Sequence, residues 1–140
     1  MFINKENEEV QNISIVVIFA KYHGNWIVCK HKGRTTVECP GGHVEKHEVP
    51  YQAACRELYE ETGAKEFSVV LVDSYSYTGE GGDLVYAQLY YADIVELGEL
   101  PKYEIEKIYI KDSLDLNWTY PDIQYFLNGI ILDFLKKQRE

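Results

Sequence analysis

Positive charge is what this chain has least of: 14 Lys and Arg stand against 23 Asp and Glu, a formal net charge of -9 at pH 7. Binding to duplex DNA through a broad basic surface depends on Lys and Arg neutralising phosphates, so no such partner is expected. A small anionic substrate stays possible, provided a cation bridges it to the acidic protein. Cysteine is scarce as well. Cys29, Cys39 and Cys55 are odd in number and form no CxxC pair, which argues against a disulfide framework or a cysteine zinc site and points to a reducing compartment, the cytoplasm. The four histidines are too scattered to change that. The longest apolar run, Ile13 to Ala20, falls far short of the roughly 20 residues that a membrane helix needs. The acidic residues before it have the wrong charge for a signal peptide. Gly79, Gly81 and Gly82 are not followed by Lys-Ser/Thr, so they read as a turn and not as a phosphate loop. Internal repeats and low-complexity stretches are absent.

What is present is ordinary globular material. With 140 residues, 46% hydrophobic and 26% charged, the chain has the size and composition of one domain spanning residues 1–140. Residues 1–12 read as a tail or a loosely attached first strand. Ile13 to Lys21 is a nearly continuous β-branched and aromatic run, the mark of a strand buried on both faces. His23-Gly24-Asn25 then supplies turn residues before a second strand, Trp26 to His31. The pattern predicts a loop over 32–36, a short strand at 37–39, and a break at Pro40-Gly41-Gly42 that no regular element accepts easily.

A helix follows. Pro50 suits its first turn and Gly63 its end. Tyr51, Ala54, Cys55, Leu58 and Thr62 form its apolar stripe, while Arg56, Glu57, Glu60 and Glu61 fall mostly on the rest of the surface. Residues 66–77 and 84–95 read as a long antiparallel pair around the glycine-rich 78–83 turn, with Tyr75, Tyr77, Tyr86, Tyr90 and Tyr91 packing in the sheet. A loop containing Pro101 leads to a strand over 104–111. The chain closes with an amphipathic helix over 121–137, for which Thr119 and Asp122 form a candidate cap.

The chemistry concentrates between residues 38 and 61, where six glutamates (Glu38, Glu45, Glu48, Glu57, Glu60 and Glu61) surround Arg56. Residues three and four apart share a helix face, so Glu57, Glu60 and Glu61 repel one another on a bare helix. A divalent cation among them would offset that repulsion. Alone, a Glu-rich helix is more often a solvated face than a metal site.

The spacing goes further. Gly42, five residues, Glu48, seven residues, Arg56-Glu57-Leu58, one residue, Glu60-Glu61, one residue, Gly63-Ala64 resembles the box of the Nudix hydrolases, matching each of its charged and glycine positions. Two positions depart from it. Ala64 stands where the family prefers a larger aliphatic residue, and Lys46-His47 where many members have a Pro-Gly turn.

The resemblance implies an α/β fold of the Nudix type, an αβα sandwich with a mixed central sheet, a loop-helix-loop and a C-terminal helix. It implies Mg²⁺ or Mn²⁺ on Glu57, Glu60 and Glu61, with the Gly41 carbonyl as a further ligand. Gly42, Glu48 and Gly63 become structural or orienting residues, and Arg56 orients a glutamate, Glu48 being the foremost candidate. The general base is Glu57 as first choice, with Glu104 and Glu106 as candidates outside the box. Asn117 and Asp122 could bond a base edge, and Trp118 or Tyr120 could stack on it, although all four could equally serve only to cap and anchor the last helix.

The activity implied is Mg²⁺-dependent hydrolysis of a phosphoanhydride in a nucleoside diphosphate-linked substrate. The foremost case is a nucleoside triphosphate, oxidised forms included, cut to monophosphate and pyrophosphate, by resemblance to the bacterial enzymes that sanitise oxidised nucleotides. An RNA 5′-end pyrophosphohydrolase, a nucleotide-sugar hydrolase and a catalytically silent nucleotide sensor are the alternatives. The partner in each case is a nucleotide, with no membrane and a monomeric or homodimeric state.

Overall fold

The computed structural model describes residues 3–6 and 12–139. Its strands are β1 (Ile3–Glu6), β2 (Ile15–Tyr22), β3 (Asn25–His31), β4 (Gly41–His43), β5 (Ala64–Thr78), β6 (Leu84–Leu97) and β7 (Ile105–Lys111). Its helices are α1 (Pro50–Thr62) and α2 (Pro121–Gln138). Six strands lie in the order β1-β5-β6-β2-β3-β7, and β4 adds a seventh by pairing with β2. The β2–β6 pair is parallel and the other pairs are antiparallel, so the sheet is mixed.

The apolar run in β2 is explained by its central place. Val16, Ile18 and Ala20 belong to the core cluster that includes Ala53, Ala54 and Leu58 of α1. Phe19 belongs to the second cluster, with Leu127 and Ile131 of α2. Successive residues of a strand point to opposite faces, so a strand with a helix on each side must be apolar at every position. The hairpin turn is His23-Gly24, both at positive φ (50° and 82°), the backbone that matches the twist of two joined strands.

Four expectations are corrected. The 40–42 break is only partly one: Gly41–His43 forms β4, in register with Ile15–Val17, while Val37 and Glu38 make isolated bridges to Trp118 and Cys29 and no strand. A strand can run there because Gly41 has no side chain; a Cβ would sit 2.5 Å from the Val16 carbonyl oxygen. The buried face of α1 is also rotated from the apolar stripe. Tyr51 is half exposed, and Glu57 and Glu61 lie at 9% and 8% exposure beside Ala53, Ala54, Leu58 and Thr62. Thr119 does not cap α2. Tyr120 holds the N-cap position without a side-chain bond, because the Thr119 hydroxyl is engaged by Thr36 and faces the Val37 carbonyl. Lastly, β2 and β6 run past or short of their predicted ends by up to two residues.

Candidate active site

The carboxylates gather where α1 meets the loop around β4 and the entry to β7. Glu57, Glu60 and Glu61 of α1, with Tyr103, Glu104 and Ile105, line an open cavity of about 350 Å³. Three contacts fix the geometry. Gly42 lets the Glu57 carboxylate lie directly against the loop, since a Cβ there would stand 2.5 Å from Glu57 Oε2 and 2.7 Å from its Cδ. The Gly41 N–H donates to Glu61 Oε1 at 2.9 Å. At the far end of α1, Gly63 turns the chain at φ 81°, and its N–H donates to the Tyr59 carbonyl at 2.8 Å. A Cβ at Gly63 would meet the Glu99 carbonyl oxygen at 2.8 Å, and Gly98 donates its N–H to the Gly63 carbonyl at 2.8 Å, so the loop that carries Tyr103 and Glu104 is moored to the end of the helix.

Arg56 is the hub. Its Nε and Nη2 donate to both oxygens of Glu48, at 2.7 and 2.9 Å, the bidentate pair expected from the box. The second Nη2 proton goes to the His43 carbonyl at 3.0 Å, and Nη1 donates to Glu57 at 2.6 Å and Glu60 at 3.1 Å. Glu45, which had no assigned role, stands 3.2 Å from Nη1. The five guanidinium protons are thereby all engaged. The 43–49 loop closes on this hub through a glycine-like residue: His47 takes φ 68° where many box sequences have glycine.

These contacts set the protonation behaviour. Arg56 holds the Glu48 carboxyl down at about 2, and Glu48 in turn raises the Arg56 guanidinium. Burial pushes Glu61 up to about 8, against the Gly41 N–H, with the charges of Glu57, Glu38 and Glu104 adding to the rise. Glu57 is raised too, by burial first, with Arg56 opposing. Burying a carboxylate is costly unless it is compensated, and one guanidinium shared with Glu48 does not offset four carboxylates.

That imbalance is the test for a metal. Among the described residues no three His, Cys, Asp or Glu side chains converge as a ligand set, and Arg56 Nη1 stands among the carboxylates instead. Apart from the Tyr103 hydroxyl, the side-chain oxygens of the described lining residues are nevertheless carboxylate oxygens, the chemistry of a hard divalent cation, and the excess negative charge is what such a cation would neutralise.

The other predicted residues separate. Glu104 faces the cavity, whereas Glu106 does not line it and pairs with Lys30 at 3.0 Å. The register slips there, so that Lys107 stands opposite Lys30 and Ile105 opposite His31, with Glu106 the extra residue. A bulge re-aims side chains, and strand alternation alone could not reveal it. Trp118 is 4% exposed and spends its Nε1 proton on the Leu114 carbonyl at 2.9 Å; it is a core residue with no face free for a base. Tyr120 is exposed with Arg34 5.9 Å from its ring. Asp122 sits exposed in the first turn of α2. Asn117 borders a separate cavity of about 270 Å³ with Thr35, Tyr109 and Lys111. Sequence reasoning missed Tyr103 and Ile105, whose only signal was adjacency to Glu104.

The chain belongs to the Nudix family: the NUDIX domain profile matches residues 10–110. Among individual proteins, YtkD of Bacillus subtilis (strain 168), named provisionally as an 8-oxo-dGTP diphosphatase, is 35% identical over 88 residues, which is 63% of this chain. The match spans about half, 54%, of that relative's length. The Bacillus subtilis pyrophosphohydrolase BsRppH superposes with a TM-score of 0.82 at 24% identity, over 98% of this chain and 90% of that one. A UDP-X diphosphatase superposes at 0.75 with 15% identity, over 94% of this chain and 66% of the other. These likenesses establish the αβα fold. No helix among the described residues is long and apolar enough to cross a membrane.

Proposed function

We propose that this protein hydrolyses a phosphoanhydride bond in a nucleoside diphosphate-linked substrate, foremost a nucleoside triphosphate or its oxidised form, giving the monophosphate and pyrophosphate. The observation that carries the reading is that Glu57, Glu60, Glu61 and Glu104 line one cavity, two of them buried, with Glu57 and Glu60 held by a fully engaged Arg56. Glu57, Glu60 and Glu61, with the Gly41 carbonyl, would hold Mg²⁺ or Mn²⁺. When bound, the cation supplies charge neutralisation at the phosphates and makes water a stronger acid.

The chain's own residues do the rest. Arg56 positions Glu57 and Glu60 and keeps Glu48 ionised as its anchor. Glu57 accepts the proton of the attacking water, with Glu104, across the same cavity, as the second candidate. Glu106 is withdrawn from that role because its carboxylate is paired with Lys30 away from the cavity. The relative named for 8-oxo-dGTP supports the oxidised-nucleotide form of the reading, and three free cysteines suit a cytoplasmic setting.

One observation favours RNA 5′ ends as a second reading. In this acidic chain, Lys107 and Lys111 both stand over the Tyr109 ring, at 4.8 and 5.2 Å. Positive charge beside an aromatic platform suits a single-stranded phosphodiester chain. Release of pyrophosphate, phosphate and nucleotide from a panel of nucleoside triphosphates, oxidised forms, nucleotide sugars and triphosphorylated RNA, with and without Mg²⁺, separates the readings. Full activity in Glu60→Gln would overturn the ligand assignment, and nucleotide binding without turnover would favour a sensor.

A further inference from the structure

The cavity that would take a phosphate chain is short of hydrogen-bond donors. Of the described residues that line it, Glu57, Glu60, Glu61 and Glu104 only accept when ionised and Ile105 is apolar. Arg56, the nearest guanidinium, has no proton to spare, since its five N–H groups go to Glu48, His43, Glu57 and Glu60. Among the described lining residues, Tyr103 alone has a side chain with a neutral donor. It is 61% exposed, and its hydroxyl makes no hydrogen bond among the described residues. Its backbone is held in place: the Tyr103 N–H donates to the Pro101 carbonyl at 3.1 Å, the Glu104 carbonyl accepts from Lys32 N–H at 3.0 Å, and the loop is moored to Gly63.

We propose that Tyr103 is a substrate-binding residue whose phenolic hydroxyl donates a hydrogen bond to a non-bridging phosphate oxygen of the bound substrate. This rests on the phosphoanhydride reading above. A wall of ionised carboxylates attracts cations and repels phosphate; among the described residues that line it, the Tyr103 hydroxyl then supplies a neutral donor to an anion without adding charge. A phenol suits the position because its ring keeps the hydroxyl at a fixed reach with few rotatable bonds, at low entropic cost on binding.

The test is Tyr103→Phe, which removes one oxygen from an exposed side chain, with Tyr103→Ala beside it. Binding of inorganic pyrophosphate in the presence of Mg²⁺ is measured by titration calorimetry, and kcat and KM are measured on the best nucleotide of the panel. Hydrogen bonds to charged groups are worth enough that Tyr103→Phe should weaken pyrophosphate binding by about 10- to 100-fold and raise KM, with the melting temperature unchanged. Wild-type affinity in Tyr103→Phe overturns the proposal, including the case where Tyr103→Ala alone is weak, since that assigns the contact to the ring. If the wild type turns over no substrate, the hydrolase reading fails separately. The calorimetric comparison still decides on Tyr103, and no pyrophosphate binding by the wild type overturns the proposal.

Discussion

Adding one methyl group at Gly42 should impair activity and at its neighbour Gly41 stability, because the new Cβ meets a side chain at the first and backbone at the second. In Gly42→Ala the new Cβ would stand 2.5 Å from Glu57 Oε2 and 2.9 Å from Oε1. Ordinary carbon–oxygen contact begins at about 3.3 Å, so the carboxylate must retreat by roughly 0.8 Å. The displaced atoms are the end of a side chain with rotatable bonds, which makes the retreat cheap for the fold. It is not cheap for the site, because the same carboxylate is held 2.6 Å from Arg56 Nη1, and a misplacement of about 1 Å in a catalytic group can cost on the order of 100-fold in rate.

In Gly41→Ala the Cβ would meet backbone instead, 2.5 Å from the Val16 carbonyl oxygen and 3.2 Å from the Val17 Cα. Only a parting of β2 and β4 relieves that clash, at about 1–3 kcal/mol of stability. The expected result is therefore a split. Gly42→Ala keeps the wild-type urea midpoint and loses about 100-fold in kcat/KM for pyrophosphate release, while Gly41→Ala lowers the midpoint with unchanged slope. If Gly42→Ala proves as unstable as Gly41→Ala, the clash is not absorbed by Glu57 and the reasoning fails. If it is stable and fully active, the Glu57 position does not matter to the reaction.

Other outcomes follow from the same contacts. Glu48 is held at about 2 by Arg56, below its unfolded value, so the stability it contributes is present above the ordinary carboxylate range and is lost as pH falls from about 4.5 towards 2; Glu48→Gln should flatten that part of a urea-midpoint-against-pH curve, and an unchanged slope would dismiss the pair. Glu61 is buried with little compensation, so Glu61→Gln should raise the metal-free melting temperature at pH 8 and shrink the further rise caused by Mg²⁺, both read by calorimetry. Replacing Lys107 and Lys111 together by Glu should leave hydrolysis of free nucleoside triphosphates intact; a loss confined to triphosphorylated RNA, steepest at low salt, would favour the second reading.

How much of this was legible beforehand differs from residue to residue. The Arg56–Glu48 pair was readable because both lie in one loop-helix segment whose spacing constrains them closely. The depth of Glu57 and Glu61 was not. Charge placed them on the solvent face of α1, and only the packing of that helix over β2 and β3, with Cys29 Sγ 3.3 Å from the Glu61 carbonyl, turned them inward. Trp118 admits two readings in the sequence, a base platform or an anchor of the last helix, and the fold uses its ring to fill the core beneath α2.

The sequence by itself determined the family, the mixed α/β order of elements and the glutamates of the box, because local spacing and hydrophobic period act over a few residues and need no distant partner. Tertiary structure alone decided which outside glutamate joins them. Glu104 and Glu106 are two positions apart, yet Glu104 precedes β7 and lines the cavity, while a one-residue register slip against β3 leaves Glu106 as the extra residue, paired with Lys30. Register is a property of two paired strands, and no single stretch of chain contains it.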